Sequence, residues 1–245
     1  MNRAAIILAA GQGTRMKSDL PKVLHEIDGI PMVRYVIRAV AAAGVDPTVV
    51  VVGYQAERVR DACAQETVDF ALQEEQLGTG HAVMQARDAL EGFKGTAVIL
   101  AGDVPGLRAS TLRGFIDAHE ASGAAATVLT ARLPDPTGYG RIVRDDEGAL
   151  LRIVEHRDAS ESERALDEVN SGLFCFDAEA LFDTLSRAGR DNTQNEYYLT
   201  DAIEMMRAVG LGVRAYLVED NREVAGVNTL DELASIRSFI QETAE

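Results

Sequence analysis

Short apolar runs rich in β-branched residues alternate along this chain with stretches whose apolar positions recur every three or four residues. That is the order expected of a parallel sheet covered by helices. The runs predict strands at Ala5 to Leu8, Thr48 to Val52, Val68 to Leu72 and Ala97 to Ala101. Helical spacing fits Met32 to Ala43, Gln55 to Ala64 and His81 to Leu90, with Gly44 and Gly92 as stops. Right-handed crossovers between such strands would set the strand-end loops along one edge, where α/β proteins bind ligands.

The second half alternates less regularly. Strands fit Ala125 to Ala131, Gly140 to Val143 and Leu150 to Glu155, separated by the turn signals Pro134-Asp135-Pro136 and Asp145-Asp146-Glu147-Gly148. The charged segment Asp158 to Asp167 predicts an exposed helix or flap over the sheet. A strand at Gly172 to Phe176 precedes helices at Ala178 to Arg187 and Glu196 to Val209, a strand at Val213 to Val218 and a helix at Leu230 to Thr243. The chain carries no internal repeat, and no run of hexapeptides of the kind that builds a left-handed β-helix.

Length and composition add bounds. With 245 residues and 47% hydrophobic content, the chain can bury the core of one large α/β domain. No apolar stretch approaches the roughly 18 to 20 residues that span a bilayer, and the N-terminus enters a strand without a leader, so a cytoplasmic protein with no membrane partner is expected. Cys63, Cys175 and the four histidines show no metal-ligand spacing, which predicts free thiols and no zinc. A net charge of −15 repels polyanions and argues against a nucleic-acid partner.

Against that negative background, the first strand runs into Ala9-Ala10-Gly11-Gln12-Gly13-Thr14-Arg15-Met16-Lys17, a glycine loop with cations, followed by Lys22. Glycines let backbone N–H groups turn toward an anion, so the loop suggests a phosphate site. It is neither of the common phosphate loops, because both need glycine where Met16 stands. A second glycine loop, Gln73-Glu74-Glu75-Gln76-Leu77-Gly78-Thr79-Gly80-His81, opens a helix. The Gln73 amide can donate and accept together, as a pyrimidine edge requires, or it is a solvated strand end. At Ala101-Gly102-Asp103-Val104-Pro105 a carboxylate ends a buried strand, suited either to a divalent cation bridging phosphates or to capping the next helix. Asn228, in Ala225-Gly226-Val227-Asn228-Thr229, offers an amide oxygen in a similar setting or the N-cap of the final helix. Between these lie Thr137-Gly138-Tyr139-Gly140-Arg141, Ile153-Val154-Glu155-His156 and Val169-Asn170-Ser171-Gly172, whose glycine, carboxylate and amide suit sugar hydroxyls. Each is weak alone: Tyr139 reads equally as core and Glu155 as surface charge.

Taken in order, L-A-A-G-Q-G-T-R-M at Leu8 to Met16, D-L-P-K-V-L-H at Asp19 to His25, E-Q-L-G-T-G-H-A at Glu75 to Ala82, G-D-V-P at Gly102 to Pro105, D-P-T-G-Y-G-R-I at Asp135 to Ile142, I-V-E-H at Ile153 to His156, N-E-Y-Y-L-T-D at Asn195 to Asp201 and E-V-A-G-V-N at Glu223 to Asn228 form a set. It resembles the uridylyltransferase half of bacterial bifunctional N-acetylglucosamine-1-phosphate uridylyltransferase/glucosamine-1-phosphate acetyltransferases. The resemblance implies a Rossmann-like nucleotidyltransferase fold, glycosyltransferase-A-like, with a mixed and mostly parallel sheet flanked by helices and a small β-rich sugar-binding lobe. It implies a nucleotidyltransferase domain over 1–229, with 230–245 a C-terminal helix at the start of a linker. The implied reaction is Mg²⁺-dependent transfer of uridylyl from UTP to N-acetylglucosamine 1-phosphate, giving UDP-N-acetylglucosamine and pyrophosphate for cell-wall precursors.

By the same resemblance, Leu8, Ala9, Ala10, Gly11, Gln73, Gly78 and Thr79 hold the uridine nucleotide. Gly140, Glu155 and Asn170 line the sugar site, with Ala101 and Gly102 beside it. Asp103 and Asn228 ligate Mg²⁺, while Arg15 and Lys22 fall on cationic catalytic positions. Ala101 departs from the tyrosine that often precedes the Gly-Asp pair, which keeps open a different sugar 1-phosphate. A catalytically silent nucleotide-sugar sensor is the other alternative. The acetyltransferase domain is absent from this sequence, so acetylation of glucosamine 1-phosphate is not expected, and the trimer built by that domain is not implied.

Overall fold

The computed structural model describes residues 1–243. Strand β1 (Arg3–Ala9) lies in the middle of the main sheet, parallel to β4 (Thr48–Val52) on one side and to β6 (Thr96–Ala101) on the other. Its continuous apolar run, rather than an alternating one, follows from burial on both faces. Ala5, Ile7 and Ala9 join one core with α1 (Met32–Ala42) and α4 (Ala109–Ser122). Ala4 and Ile6 join the other with α3 (Thr79–Gln85), α6 (Ala178–Leu185) and α7 (Asp201–Ala208).

Beyond β4, β5 (Asp69–Leu72) extends the parallel half. Beyond β6, β10 (Glu168–Asp177) runs antiparallel to β6 and to β7 (Ala126–Arg132), and β11 (Val213–Leu217) pairs in parallel with β7. The path β11-β7-β10-β6-β1-β4-β5 is thus a mixed, mostly parallel sheet, as the resemblance implies. An antiparallel pair, β8 (Arg141–Arg144) and β9 (Leu150–Val154), joins it through Val169 opposite Arg141 and forms a small β lobe. Over this lobe, α5 (Glu161–Arg164) is a single exposed turn closed by a Ser160–Glu163 capping box, the helix-or-flap expected there.

Several elements differ from expectation. The segment 109–122, assigned no element from the sequence, is helix α4: Leu112, Phe115, Ile116 and His119 recur at helical spacing and are buried. The helix expected from Glu196 begins only at Asp201, because Tyr197 is drawn into backbone pairing with Leu77 and Gly80 and Leu199 N is taken by the Thr79 hydroxyl. Helix α3 is likewise shorter than predicted, ending at Gln85 before a 3₁₀ turn over Asp88–Leu90. Strand β10 starts at Glu168, four residues before the predicted Gly172, and a bulge between Asn170 and Phe174 accommodates Gly172 at φ 81°. A two-residue hairpin, β2 (Glu26–Ile27) with β3 (Ile30–Pro31), was also unforeseen. The last helix, α8 (Leu230–Thr243), matches its prediction and buries Ile236 and Phe239 against Ile27, Met32 and Val227. Of the 230–245 segment, residues 244 and 245 lie outside those described. No helix among the described residues is long and apolar enough to cross a membrane.

Candidate active site

The loop after β1 forms a 3₁₀ turn over Thr14–Met16. Met16, the residue that breaks both common phosphate motifs, is buried and anchors the turn. Gly13 enters it at φ 72°, and a Cβ there would stand 2.4 Å from Lys22 Cβ, so glycine is what allows the loop to close over Lys22. The closure gathers cations on one amide. Arg15 Nη2 donates to Asn228 Oδ1 at 2.7 Å, and Lys22 Nζ donates to the same oxygen at 2.9 Å. Lys22 Nζ also forms an ion pair with Asp103 Oδ2.

Asp103 and Asn228 reach this point by different routes. Gly102 N donates to Leu8 O at 2.9 Å, and a Cβ on Gly102 would lie 3.0 Å from that oxygen, so glycine fits the end of β6 tightly against β1. Val227 N donates to Asp103 O at 3.0 Å, pinning the segment before α8 onto the same strand end. Asn228 is not the cap of α8. Thr229 Oγ1 accepts from Glu232 N at 3.2 Å, while Glu232 Oε2 accepts from Asn228 N at 2.6 Å and Thr229 N at 2.9 Å. Thr229 therefore does the capping, and the Asn228 oxygen is left to face the cations. Asp103 does not cap a helix either, since α4 starts after Arg108.

These oxygens suit a divalent cation. One carboxylate and one amide oxygen lie within reach of a single Nζ, so they also lie within reach of one metal ion. Among the described residues no group of three or more histidine, cysteine or acidic side chains is placed to hold a metal ion. A site with so few protein donors fits a hard cation completed by phosphate oxygens and water.

On the opposite face of β1's end is a cavity of about 210 Å³ lined by Leu8, Ala10, Gly11, Gln73, Gln76, Gly78, Thr79, Ala82 and Glu196. Six of the residues expected at the nucleotide are there. Ala9 is the exception: its side chain alternates to the other face and is buried in the core, so it does not line this cavity. Gln73 is 3% exposed, which rules out a solvated strand end. Gly78, at φ 108°, allows the loop 196–199 to approach: a Cβ would lie 2.6 Å from Tyr197 O. Tyr197 N donates to Leu77 O at 2.8 Å and Gly80 N to Tyr197 O at 2.8 Å, while Thr79 Oγ1 accepts from Leu199 N at 3.0 Å. The Gln76 and Glu196 contributions were missed; Gln76 carried a signal as the second amide of the loop, whereas Glu196 was hidden in a predicted helix.

The third group sits in the lobe. Gly140 lies beside Glu155, where an added Cβ would be 3.5 Å from both carboxylate oxygens, and Asn170 N donates to Gly140 O at 2.9 Å. Asn170 Oδ1 accepts from Gly172 N at 2.9 Å. Glu155 is not a surface charge. Burial pushes its carboxyl above the usual carboxylate range, opposed by the Thr200 hydroxyl that donates to Oε1 at 3.1 Å, with Asp201, Asp158 and Glu196 adding to the rise. Thr200 was not foreseen, because it meets Glu155 only in space. Ala101, opposite Leu8 at the end of β6, is half-buried against the core.

A glycine loop, a metal-competent oxygen pair and a base-sized cavity at the strand ends of such a sheet define a nucleotide-handling site, and the family model of the MobA-like NTP transferase domain matches residues 5–169. The chain belongs to that family. It is 55% identical over 240 residues to the bifunctional protein GlmU of Geobacter metallireducens, covering 98% of this chain and 50% of that protein. It is 52% identical over 240 residues to the bifunctional protein GlmU of Halalkalibacterium halodurans, with 98% and 52% covered. The chain thus spans about half the length of these relatives. Its fold is similar to that of a UDP-glucose pyrophosphorylase crystallised with UDP-glucose, with a TM-score of 0.76, 18% identity and 99% of this chain and 100% of that one covered.

Proposed function

We propose that this chain transfers uridylyl from UTP to N-acetylglucosamine 1-phosphate with Mg²⁺, releasing pyrophosphate and yielding UDP-N-acetylglucosamine. The observation that carries the reading is the convergence of Arg15 and Lys22 on the Asn228 oxygen, with Lys22 also paired to Asp103, within a chain similar over 240 residues to a bifunctional GlmU. A protein that only sensed a nucleotide sugar would need the base and sugar contacts, not this cation-and-oxygen set.

In this reading the cavity beneath Gln73 takes the uracil, and Gly140, Glu155 and Asn170 take the sugar. Asp103 and Asn228 would hold the Mg²⁺, which when bound neutralises phosphate oxygens and favours departure of pyrophosphate. The sugar-phosphate oxygen is already an anion near neutral pH and needs no general base. Its difficulty is approach to another anion. Arg15 and Lys22 offset that repulsion and hold the nucleophile in line with the α-phosphorus. A bond forms from the sugar-phosphate oxygen to that phosphorus as the bond to the bridging oxygen breaks, and the pyrophosphate carries away the electron pair.

The test is pyrophosphate release with Mg²⁺, crossing UTP, CTP, ATP, GTP and dTTP against N-acetylglucosamine, glucosamine and glucose 1-phosphates. Release strongest with UTP and N-acetylglucosamine 1-phosphate, and lost on chelation of the metal, is expected. Preference for another pair would move the substrate assignment, and nucleotide binding without release would point to the sensor.

A further inference from the structure

His81 lies in the first turn of α3, at the back of Gln73 rather than in the cavity lining. Gln73 Nε2 is 3.0 Å from His81 Nδ1 and 3.2 Å from Gly78 O. A carbonyl can only accept, so the amide nitrogen of Gln73 must point inward, toward Gly78 and the imidazole. Its Oε1 is then the free end. Among the described residues no group donates to it, and it does not count among the sealed, unsatisfied polar atoms. The side chain is 3% exposed and lines the cavity, so that oxygen opens into it.

The imidazole faces a second amide. Gln85 Nε2 lies 3.1 Å from His81 Nε2 and 3.1 Å from His81 O. A neutral ring has one lone pair, so both amides cannot donate to it. Gln73 is buried, so no water can replace its bond to the ring, whereas Gln85 is half-buried and can turn with water replacing its bonds. The lone pair therefore belongs on Nδ1 and the proton on Nε2. Tyr197, stacked at 6.2 Å between centroids and 26° between planes, holds the ring in that orientation, with Arg190 5.3 Å over the other aromatic.

We propose that His81 is a positioning residue for base selection: by accepting from Gln73 Nε2 it fixes Gln73 Oε1 as an acceptor aimed at a base that presents an N–H on its pairing edge. Uracil has that N–H at N3. Cytosine has a lone pair there, which would face Oε1 unmatched, and a buried mismatch of this kind is what gives hydrogen-bonded sites their selectivity. The proposal rests on the uridine reading of the cavity above, and it adds the device that sets the polarity of the reading amide.

The experiment is equilibrium binding of UTP and of CTP, each with Mg²⁺, to the wild-type chain, His81→Leu and His81→Asn, which needs no turnover. His81→Leu removes one of the two acceptors of Gln73 Nε2 and leaves the 3.2 Å bond to Gly78 O alone to hold the amide, so the UTP preference over CTP should fall by about tenfold, the scale of one buried hydrogen bond. His81→Asn keeps an oxygen near the Nδ1 position and should restore most of the preference. A His81→Leu ratio equal to wild type would overturn the proposal, as would a wild-type chain that binds both nucleotides alike. Should His81→Leu fail to fold, the long-range ¹H–¹⁵N spectrum of the wild-type imidazole decides instead: protonation at Nε2 is expected, and protonation at Nδ1 overturns it. An intact UTP preference without pyrophosphate release would sink the transferase reading and leave this one standing.

Discussion

At Lys22 one ammonium serves two oxygens that the proposed reaction needs for a metal. Removing it should therefore have two opposite effects. Lys22→Ala is expected to lower turnover at saturating Mg²⁺ by about 10²-fold, the scale of losing one preorganised charge, yet to reduce the Mg²⁺ concentration at half-maximal rate because the competing cation has gone. Kinetics over a Mg²⁺ series read both; full turnover in the variant would remove Lys22 from the mechanism. Asp201 shows a different residue-scale effect. Burial, with Glu204 and Asp158 nearby, raises its carboxyl from the ordinary 3.8 to about 6. The fold thus penalises the ionised form: the penalty is absent below pH 3.8, grows as pH rises toward 6 and is complete above it. Asp201→Asn, neutral throughout, should raise the thermal midpoint at pH 7.5 and raise it much less at pH 4.5. Unequal legibility at this scale has a physical cause. Gly13 and Lys22 announce themselves by local chain geometry and charge, whereas Thr200 acquires its role by meeting Glu155 across 45 positions of sequence.

Among the elements, the turn into α8 separates two functions that the sequence left merged at Asn228. Thr229 and Glu232 hold the helix start, and Asn228 serves the cations. Thr229→Ala should cost about 1 kcal/mol of stability, as lost N-caps do, while Asn228→Ala should leave the unfolding midpoint nearly unchanged and strongly weaken turnover. Thermal unfolding set beside pyrophosphate release distinguishes them. The strands of the parallel half were readable because burial on both faces writes a continuous apolar run. The 196–200 segment was not, since it continues into the helical pattern after it while Tyr197 pairs its backbone with Leu77 and Gly80 and Leu199 N is taken by the Thr79 hydroxyl. That engagement depends on Gly78. Gly78→Ala should cost about 2 kcal/mol or more, through strain at φ 108° and collision with Tyr197, and should weaken UTP binding in the same variant.

For the molecule as a whole, the net charge of −15 and a cationic centre coexist because Arg15 and Lys22 are gathered at one strand end, where short range outweighs screened surface carboxylates. Two apolar cores, one on each face of the sheet, hold that edge in place. The helix-covered, mostly parallel sheet was legible from the alternation of runs, and the motifs marked the strand-end loops that this sheet brings to one edge. Their distances were not legible, since the sheet order puts β1 beside β6 and brings residue 228 back to the first loop.

The hydrogen bonds from Arg15 and Lys22 to Asn228 span 213 and 206 positions. A ribosome adding residues one at a time therefore supplies every lining residue of the cavity, the last being Glu196, before it adds Asn228. A nascent polypeptide held just short of Asn228 carries every residue that lines the cavity and lacks one of the two oxygens that the proposed reaction offers to the metal.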